Sequence, residues 1–528
     1  MANPVIAPAA PPDPGFAADE AALRALAADP PGTVLVVSDL HLAGGRDPIT
    51  GRFDRTENFF ADEAFHRWLK HHRAEAAADA LLVLNGDTFD FLRVVAVPSS
   101  RAEMESWSEG LAGLGVQRSA DELAARIDRK EKRYGLGTED FKCIWKLGQI
   151  EWGHQEFFAA LREWLRTGGR LLVVKGNHDV ELHWPLVRRA LRMMLGAAPA
   201  GQAGAGALVF CDHAVRLANL YLEHGHRYEK VTRVEGDEPT ITVDGVETIR
   251  LPSGSFVNRY LINSAEDIYP FLDNARPLGK SIRLILRRYP IASLKLVFPA
   301  IQLISRSWRL DKNKSSFARS ILLLVNILAP ILGVLLVLGL LYFTELRDAF
   351  KDLGRFRFLF SFAGLALPYL LSALAELFPR GKGQVLDDEF GDQAYRALAA
   401  TRPAPAASLL YAVYGHTHNQ DVQFVPARDG APDIMYMNTG TWTPLFIDDR
   451  PDLMGRAFRP FIRFDCGGAY GEYRHQYLQW NDTRGRPDAI EILGPVRRSG
   501  WEGPYIISDP EPAEPAEPGG GGNPPVST

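Results

Sequence analysis

The sequence of 528 residues is poor in cysteine, in net charge and in internal repetition, and each shortage argues against a class of protein. Its three cysteines, Cys143, Cys211 and Cys466, are too few for a disulfide framework or a cysteine zinc site, and they suit a reducing compartment. A net charge of -5 gives no global basic field, so no nucleic-acid partner is expected. No repeat with a period of 20–50 residues is visible, which argues against a solenoid.

The composition is that of a chain that folds around a core, with 46% apolar and 23% charged residues. At roughly 150 residues per domain, the length predicts about two to four domains. Residues 1–30 are rich in Ala and Pro and lack the pattern of a signal peptide, and residues 509–528 consist of Pro, Glu and Gly repeats. We expect a flexible tail over residues 1–30 and a disordered tail over residues 509–528.

Short apolar runs recur ahead of polar or glycine-rich turns. Each run spans four to six residues and is bounded by residues that break regular structure, which is typical of buried strands. The runs are Val34–Val37, Leu81–Leu84, Leu171–Val174, Leu217–Leu222, Leu409–Val413 and Ile434–Met437, the last ending in Asn438-Thr439-Gly440-Thr441. Because sites of α/β sheets lie beyond the carboxyl ends of strands, we expect a site where these runs end.

Side chains of the types that bind metal ions follow five of the runs. They are Asp39 with His41, then Asp87, Asn177, His224, and His416 with His418. Two ions about 3.5–4 Å apart need a bridging carboxylate and several further ligands, and Asp87 is placed to bridge. A lone Asp-x-His or Gly-Asp is more often a turn or a helix cap than a ligand, and a lone His-x-His is equally often either. The same ligand types after five separate strands predict a dinuclear metal site, and its oxygen and imidazole ligands suit Mn, Fe or Zn more than Mg.

The ordered motifs resemble those of the calcineurin-like metallophosphoesterases. They are Asp39-x-His41, Gly86-Asp87-x-x-Asp90, Gly176-Asn177-His178-Asp179, His224-Gly225 and Gly415-His416-x-His418. The resemblance covers roughly residues 32–228 and 405–450. It implies an α/β (α+β) fold, in which a four-layer β-sandwich is flanked by helices. It also implies two divalent metal ions and hydrolysis of a phosphate ester or anhydride.

The resemblance implies a role for each motif residue. One ion would be held by Asp39, His41 and His418. The other would be held by Asn177, His224 and His416, with Asp87 as the bridge. His178 would contact the phosphate or protonate the leaving group, and Asp179 would orient His178.

Within that family, the stretch from Gly86 to Phe91 is similar to one branch. It looks like the UDP-2,3-diacylglucosamine pyrophosphohydrolases of lipid A synthesis, which carry GD-x-x-D followed by an aromatic residue. That branch typically has Arg in place of His178 and Asp in place of His226, and its inserts differ. A lipid-linked or nucleotide-linked phosphate is therefore an expected substrate class.

Between Asp87 and Asn177 the sequence predicts a helical insert over about residues 100–168. Ser119–Arg133 and Asp140–Arg166 carry aromatic residues among charged ones at helical spacing. A cap beside the active site and a peripheral packing element both fit this pattern.

Between His224 and His416 lie two uncharged apolar runs. Ile321–Phe343 has 23 residues and Phe358–Ala375 has 18. At about 1.5 Å per residue they reach roughly 34 and 27 Å, enough for a bilayer core. We expect a two-helix transmembrane hairpin over residues 321–378, with a buried hairpin in a soluble core as the alternative.

The segment Arg276–Arg319 holds eleven Lys or Arg residues and one acidic residue, Asp311. Its apolar intervals favour an anionic lipid surface, so residues 276–378 are predicted to contact membrane lipid. A solvated basic face with a nucleic-acid or protein partner is the alternative. Since this flank and the motifs lie on the same side of the hairpin, the catalytic domain is expected to face the cytoplasm from the inner membrane.

The expected organisation is a phosphoesterase domain in two parts, residues 31–230 and 379–508, separated by an insert over 231–320 and the hairpin. The sequence predicts a membrane-anchored, dinuclear phosphoesterase acting on a phosphorylated substrate. The competing hypothesis is a non-catalytic membrane scaffold of the same fold that binds a phospho-ligand or a partner. A scaffold would be free to lose ligands, and none is missing here.

Overall fold

The computed structural model describes the parts of the chain that carry the predicted motifs. The described residues are 14–75, 80–199, 201–229, 232–233, 239–243, 245–266, 275–276, 409–425, 433–444, 446–447, 455–467 and 472–490. The predicted hairpin, the basic segment beyond Arg276 and the tail over 509–528 lie outside these residues. No helix within the described ranges is both long enough and apolar enough to cross a bilayer.

Ten helices lie within the described residues. They are α1 (Pro14–Ala28), α2 (Asp62–Glu75), α3 (Arg101–Gly113), α4 (Ala120–Ala125), α5 (Glu131–Tyr134), α6 (Asp140–Gly153), α7 (Gln155–Arg166), α8 (Pro185–Leu195), α9 (Ser253–Val257) and α10 (Asn263–Ala265). One π turn, Asn258–Ile262, joins α9 to α10. Short 3₁₀ turns cover Val180–His183 and His226–Tyr228.

Sixteen strands lie within the same residues. They are β1 (Thr33–Val37), β2 (Leu81–Asn85), β3 (Arg170–Val174), β4 (Leu208–Cys211), β5 (Ala214–Leu217), β6 (Leu220–Glu223), β7 (Thr240–Val243), β8 (Val246–Ile249), β9 (Ala275–Arg276), β10 (Leu409–Tyr414), β11 (Gln420–Val425), β12 (Asp433–Thr439), β13 (Phe446–Ile447), β14 (Pro460–Cys466), β15 (Tyr473–Asn481) and β16 (Arg486–Ala489).

The described strands form two large sheets and two small ones. The first has seven strands in the order β16-β15-β14-β1-β2-β3-β4, and the second has five in the order β11-β12-β10-β6-β5. Strands β1 to β4 run parallel, and β6 runs parallel to β10. The carboxyl ends of parallel strands share one edge, so the loops after β1, β2 and β3 meet there.

Side chains alternate between the two faces of the seven-stranded sheet. Val36 and Val83 belong to one buried cluster with Val413 and Met437 of the five-stranded sheet. The neighbouring positions, such as Leu35 and Leu82, pack with residues of α2, α6, α7 and α8. Two sheets therefore pack face to face, with helices on the outer face of the larger sheet. The mixed α/β class predicted from the sequence is confirmed.

One predicted strand is two strands. The apolar run Leu217–Leu222 forms a hairpin, in which β5 ends at Leu217 and β6 begins at Leu220, and these two residues pair. Ala218 in the turn has a φ of 50°. The polar Asn219, which interrupts the run, accepts a hydrogen bond at Oδ1 from the backbone of Tyr473 at 2.8 Å. A run that is apolar on both sides of one polar residue is therefore compatible with a tight turn.

The expectation of a flexible tail over residues 1–30 is wrong for residues 14–28, which form α1. Ala22 and Leu26 are buried in the core between the sheets. Asp19 is buried as well and pairs with Arg188, at 3.2 Å, and with Arg192. The Ala- and Pro-rich composition of residues 1–30 suggested a tail, but alanine is also the best helix former. The buried side chains of Ala22 and Leu26 pack α1 against the core.

The predicted helical insert contains five helices, α3 to α7. The stretch Asp140–Arg166, which the sequence predicted as helical, forms α6 and α7, and His154 separates them. The helix α3 was not predicted. Trp107 of α3 and Phe158 of α7 belong to the same buried cluster as the seven-stranded sheet, so the insert is an integral part of the core.

Candidate metal centre

The motif loops after β1 and β2 are joined by backbone hydrogen bonds. Asp39 N donates to Gly86 O at 3.1 Å, and His41 N donates to Asp87 O at 2.9 Å. From the third loop, His178 N donates to Asp87 Oδ1 at 2.8 Å. The loop after β10 joins them, since His416 N lies 3.0 Å from Asp39 Oδ1. Loops from both large sheets therefore converge at one edge.

The backbone is strained where the predicted ligands lie. Seven non-glycine residues in the described part of the chain have positive φ. Five of them are predicted ligands: Asp39, His41, Asp87, His416 and His418. The left-handed conformation costs an L-residue roughly 1–2 kcal/mol, and such strain concentrates at functional sites. The surrounding packing thus fixes these side chains at the expense of stability.

Asp39, His41 and His418 form a first ligand group, with ligand atoms within 4.8 Å of one another. His41 Nε2 lies 2.9 Å from His418 Nε2, and His418 Nε2 lies 3.4 Å from Asp39 Oδ1. His41 Nδ1 lies 3.1 Å from Asp90 Oδ2, and a carboxylate can only accept, so Nδ1 carries the proton. His41 therefore turns its Nε2 toward this group, in the orientation of a metal-ligating histidine whose Nδ1 donates to a carboxylate.

Asp87, His224 and His416 form a second group, also within 4.8 Å. His224 Nδ1 donates to Asn85 O at 2.9 Å, which leaves Nε2 as the ligand atom, 3.1 Å from Asp87 Oδ2. A proton on Nε2, or a metal ion bound in its place, can offset the charge of the carboxylate at this distance. Asn177 Oδ1 is buried without a hydrogen-bond partner among the described residues, as expected of an oxygen that awaits an ion.

The two groups adjoin through Asp87. His41, Asp87 and His178 also lie within 4.8 Å of one another, so Asp87 is close to ligands of both groups. This position is the one predicted for a bridging carboxylate. The residues of both groups suit the predicted pair of divalent cations, because they supply imidazole nitrogens and carboxylate oxygens with fixed lone pairs.

The electrostatics of the site favour cations. Burial would lower the pKa of His224, but Asp87 and then Asp39 raise it to about 9. Burial would raise the pKa of Asp87, yet His224 and His178 hold it well below its usual range. Burial raises the pKa of Asp39. The buried carboxylates therefore stabilise a positive charge beside them. A metal ion can supply this charge instead of a proton on histidine.

His178 lies beside both groups, but its carboxylate partner differs from the predicted one. His178 Nδ1 lies 2.7 Å from Asp90 Oδ2, so Asp90 takes the orienting role that the resemblance implied for Asp179. Burial opposes ionisation of Asp90, but His178 holds its pKa below the usual range. The same Asp90 oxygen bonds His41, and it thus ties a metal ligand to the proposed acid.

Asp179 instead holds two loops together. Its carboxylate accepts from Gly176 N at 2.6 Å and from Thr88 N at 3.0 Å. Burial, with the charge of Asp87, raises the pKa of Asp179 to about 7. The sequence could not separate the two carboxylates, because Asp179 is adjacent to His178 in the chain and Asp90 is adjacent only in space.

Two motif glycines leave no room for a side chain. A Cβ on Gly86, whose φ is 86°, would lie 2.4 Å from His224 Cγ. A Cβ on Gly176 would lie 2.1 Å from Asp87 Oδ1. Real Cβ contacts are not this short, so both positions need glycine for the close approach of ligand side chains.

Several residues of the site were not predicted. Ser38 Oγ donates to Asp39 Oδ2 and contacts Thr439 Oγ1, and Thr441 Oγ1 donates to Asp39 O at 2.6 Å. Glu229 Oε2 lies 2.8 Å from His416 Nε2. The polar turn after the sixth apolar run was a visible signal for the two threonines. Glu229 had no such signal, since it follows a 3₁₀ turn outside any motif.

All nine predicted site residues lie on loops at this edge of the two sheets. No protein-family model matches the chain, and no curated protein or solved structure matches it significantly. The function therefore has to be inferred from the chemistry of the site.

Proposed function

We propose that this protein is a dinuclear, metal-dependent phosphoesterase of the calcineurin-like type. The observation that carries the proposal is the pair of adjoining ligand groups, Asp39–His41–His418 and Asp87–His224–His416, which meet at Asp87. In both groups a hydrogen bond at Nδ1 orients a histidine so that its Nε2 faces the other ligands. The two packed sheets, with their motif loops at one edge, are consistent with the four-layer sandwich of that family.

The ligand set favours manganese, iron or zinc. Two such cations, when bound, would supply an activated water and neutralise charge on the phosphoryl oxygens. Asn177 would add an amide oxygen to the second group. His416 Nε2 lies 2.8 Å from Glu229, which leaves Nδ1 as its ligand atom.

His178 is placed to act as general acid. Asp90 fixes the ring through Nδ1, so Nε2 is the nitrogen that can exchange a proton with the leaving oxygen. The buried carboxylate of Asp90 also stabilises the protonated ring that donates this proton. About 13% of the His178 side chain is exposed, so a substrate can reach it while most bulk water is kept away.

The proposed substrate is a phosphate ester or pyrophosphate, lipid-linked or nucleotide-linked. Attachment to the inner membrane through residues 276–378, with the site facing the cytoplasm, is the part of the proposal that rests on sequence alone. The second candidate is a non-catalytic scaffold. The complete ligand set and the general-acid arrangement at His178 favour the enzyme.

The test is a metal-reconstitution assay on the full-length protein. Metal-stripped protein would be loaded with Mn²⁺, Fe²⁺ or Zn²⁺ and assayed on p-nitrophenyl phosphate, bis(p-nitrophenyl) phosphate and a nucleotide diphosphate sugar. We expect turnover of at least one substrate that requires metal and disappears on chelation. Protein that takes up two ions without turnover on these substrates and on lipid-linked analogues would support the scaffold. Protein that binds no metal and shows no turnover after loading would contradict the enzyme.

A further inference from the structure

A second set of metal-ligand side chains lies on the last turn of α2. His71, His72 and Glu75 have ligand atoms within 4.8 Å of one another. His71 Nε2 lies 3.1 Å from Glu75 Oε1, and His72 Nδ1 lies 3.9 Å from Glu75 Oε2. None of these residues belongs to the proposed catalytic centre.

The cluster lies along the seven-stranded sheet and not among the catalytic loops. Glu75 Oε2 lies 3.1 Å from Arg463 Nη1 of β14. Arg463 pairs with Leu35 in the middle of β1, whereas the catalytic ligands follow the end of β1 at Val37. A metal ion here would be separate from the catalytic pair.

His72 is a buried histidine with unmet hydrogen-bonding capacity. It is 1% exposed, and neither of its ring nitrogens has a hydrogen-bond partner among the described residues. Its neighbours Trp68 and Phe461 are aromatic, with ring centroids 5.5 and 5.0 Å away. Burying an imidazole without partners is unfavourable, so such a group calls for an ion or a water.

The geometry suits zinc. Residues three and four positions apart share one face of a helix, which brings His71 and His72 to the same carboxylate. Two histidines and a glutamate form a known zinc ligand set that leaves a fourth position open. Arg463 would compete with the ion for the carboxylate of Glu75. Arg463 also donates to Asp465 Oδ2 at 2.8 Å, so it is shared between two carboxylates. Glu75 Oε1, on the side of His71, remains for the ion.

We propose that His71, His72 and Glu75 bind a zinc ion that fastens the end of α2 to β14. Ligation at Nδ1 gives His72 the partner that the surrounding aromatic rings do not provide. The carboxylate would join the ion to Arg463, in the middle of β14. This zinc would lie apart from the catalytic groups, with a water in its fourth position, so hydrolysis does not depend on it.

The test compares His71→Ala with His66→Ala. His66 lies on the same helix and is 29% exposed, against 26% for His71, but it bonds Glu156 and Glu163 instead. Full-length variants would be dialysed against Zn²⁺, freed of loose metal and analysed for zinc per chain. We expect one zinc fewer in His71→Ala than in His66→Ala, with unchanged turnover. We also expect zinc to raise the unfolding temperature of His66→Ala more than that of His71→Ala.

The same comparison in an Asp87→Ala background separates the two metal sites. There the catalytic ions are lost, and the remaining zinc should still depend on His71. Glu75→Gln, an exposed and nearly isosteric change, should release it as well. Equal zinc contents in the His71 and His66 variants, in both backgrounds, would overturn this site and leave the proposed catalytic function untouched.

Discussion

The two ligand groups of the catalytic centre are supported in different ways. In the first, Asp90 holds His41 and is fully buried, at 0% exposure. In the second, Glu229 holds His416 and has 28% of its side chain exposed. A buried carboxylate keeps its ligand oriented with little competition from water, whereas a partly exposed one is screened. We therefore expect the first group to bind its cation more tightly than the second.

Replacement of Asp87 should have the largest effect, since it removes the ligand on which the two groups converge. Asp87→Ala is expected to lower metal occupancy at both groups and to reduce turnover to background. Elemental analysis and rate measurements on the same preparation check this. Loss of a single catalytic ion, with the other bound as in the parent protein, would mean that Asp87 belongs to one group and does not bridge.

His178→Ala should leave both ions bound and still slow the reaction. A general acid typically contributes roughly 10²–10⁴-fold to the rate, and this is the loss expected. The loss should be smaller for substrates with good leaving groups, such as p-nitrophenyl esters, because these need less protonation. A variant that loses its metals as completely as Asp87→Ala would show that His178 is a ligand.

The difference between the groups can be tested with two matched substitutions. Asp90→Asn should lower the affinity of the first group for its cation by about 10–100-fold, as expected for loss of a ligand's carboxylate partner. It should also slow turnover, because Asp90 orients His178. Glu229→Gln should lower only the affinity of the second group for its cation, and by a smaller factor, because Glu229 is partly exposed. Stepwise metal titrations of both variants measure this. Equal losses at both groups in either variant would contradict the independent support of the two groups.

The ligands could be predicted from the sequence because their signal is local. Asp39, His41, Asp87 and His224 each lie within four residues of the end of a short apolar strand, and the strand sets where the side chain lies. Pairs across the chain carry no local signal. Asp90 and His178 are 88 positions apart and bond at 2.7 Å, so their partnership depends on the parallel pairing of β2 and β3.

The fold, like the site, was predictable only where its signal is local in the sequence. Six apolar runs marked strands of the two large sheets, and helical periodicity marked the insert, but β4, β11 and β14 to β16 were not predicted. The division at Asn219 and the docking of α1 depended on tertiary contacts, namely the hydrogen bond to Tyr473 and the ion pairs of Asp19. The α2 cluster was not predicted either, because two adjacent histidines on a helix are more often surface residues. The burial of His72 depends on tertiary packing against Phe461.

The smallest effect is expected from Ser38, which supports the first group alone. Its hydroxyl donates to Asp39 Oδ2 in a buried environment. Removing one such bond costs about 1–2 kcal/mol, or about 5–30-fold in affinity. Thr439, which contacts Ser38, also lies 3.3 Å from Tyr414 O, so Ser38→Ala leaves it with a partner.

Ser38→Ala should therefore lower the affinity of the first group for its cation about 5–30-fold and leave that of the second group unchanged. Ser108→Ala is a matched control, since the Ser108 hydroxyl donates to a backbone carbonyl, Arg118 O, in the helical insert. Metal titration of the two variants gives the comparison. If Ser38→Ala weakens both cations equally, the two groups share one supporting network, and the difference between the buried and the exposed carboxylate does not set their affinities.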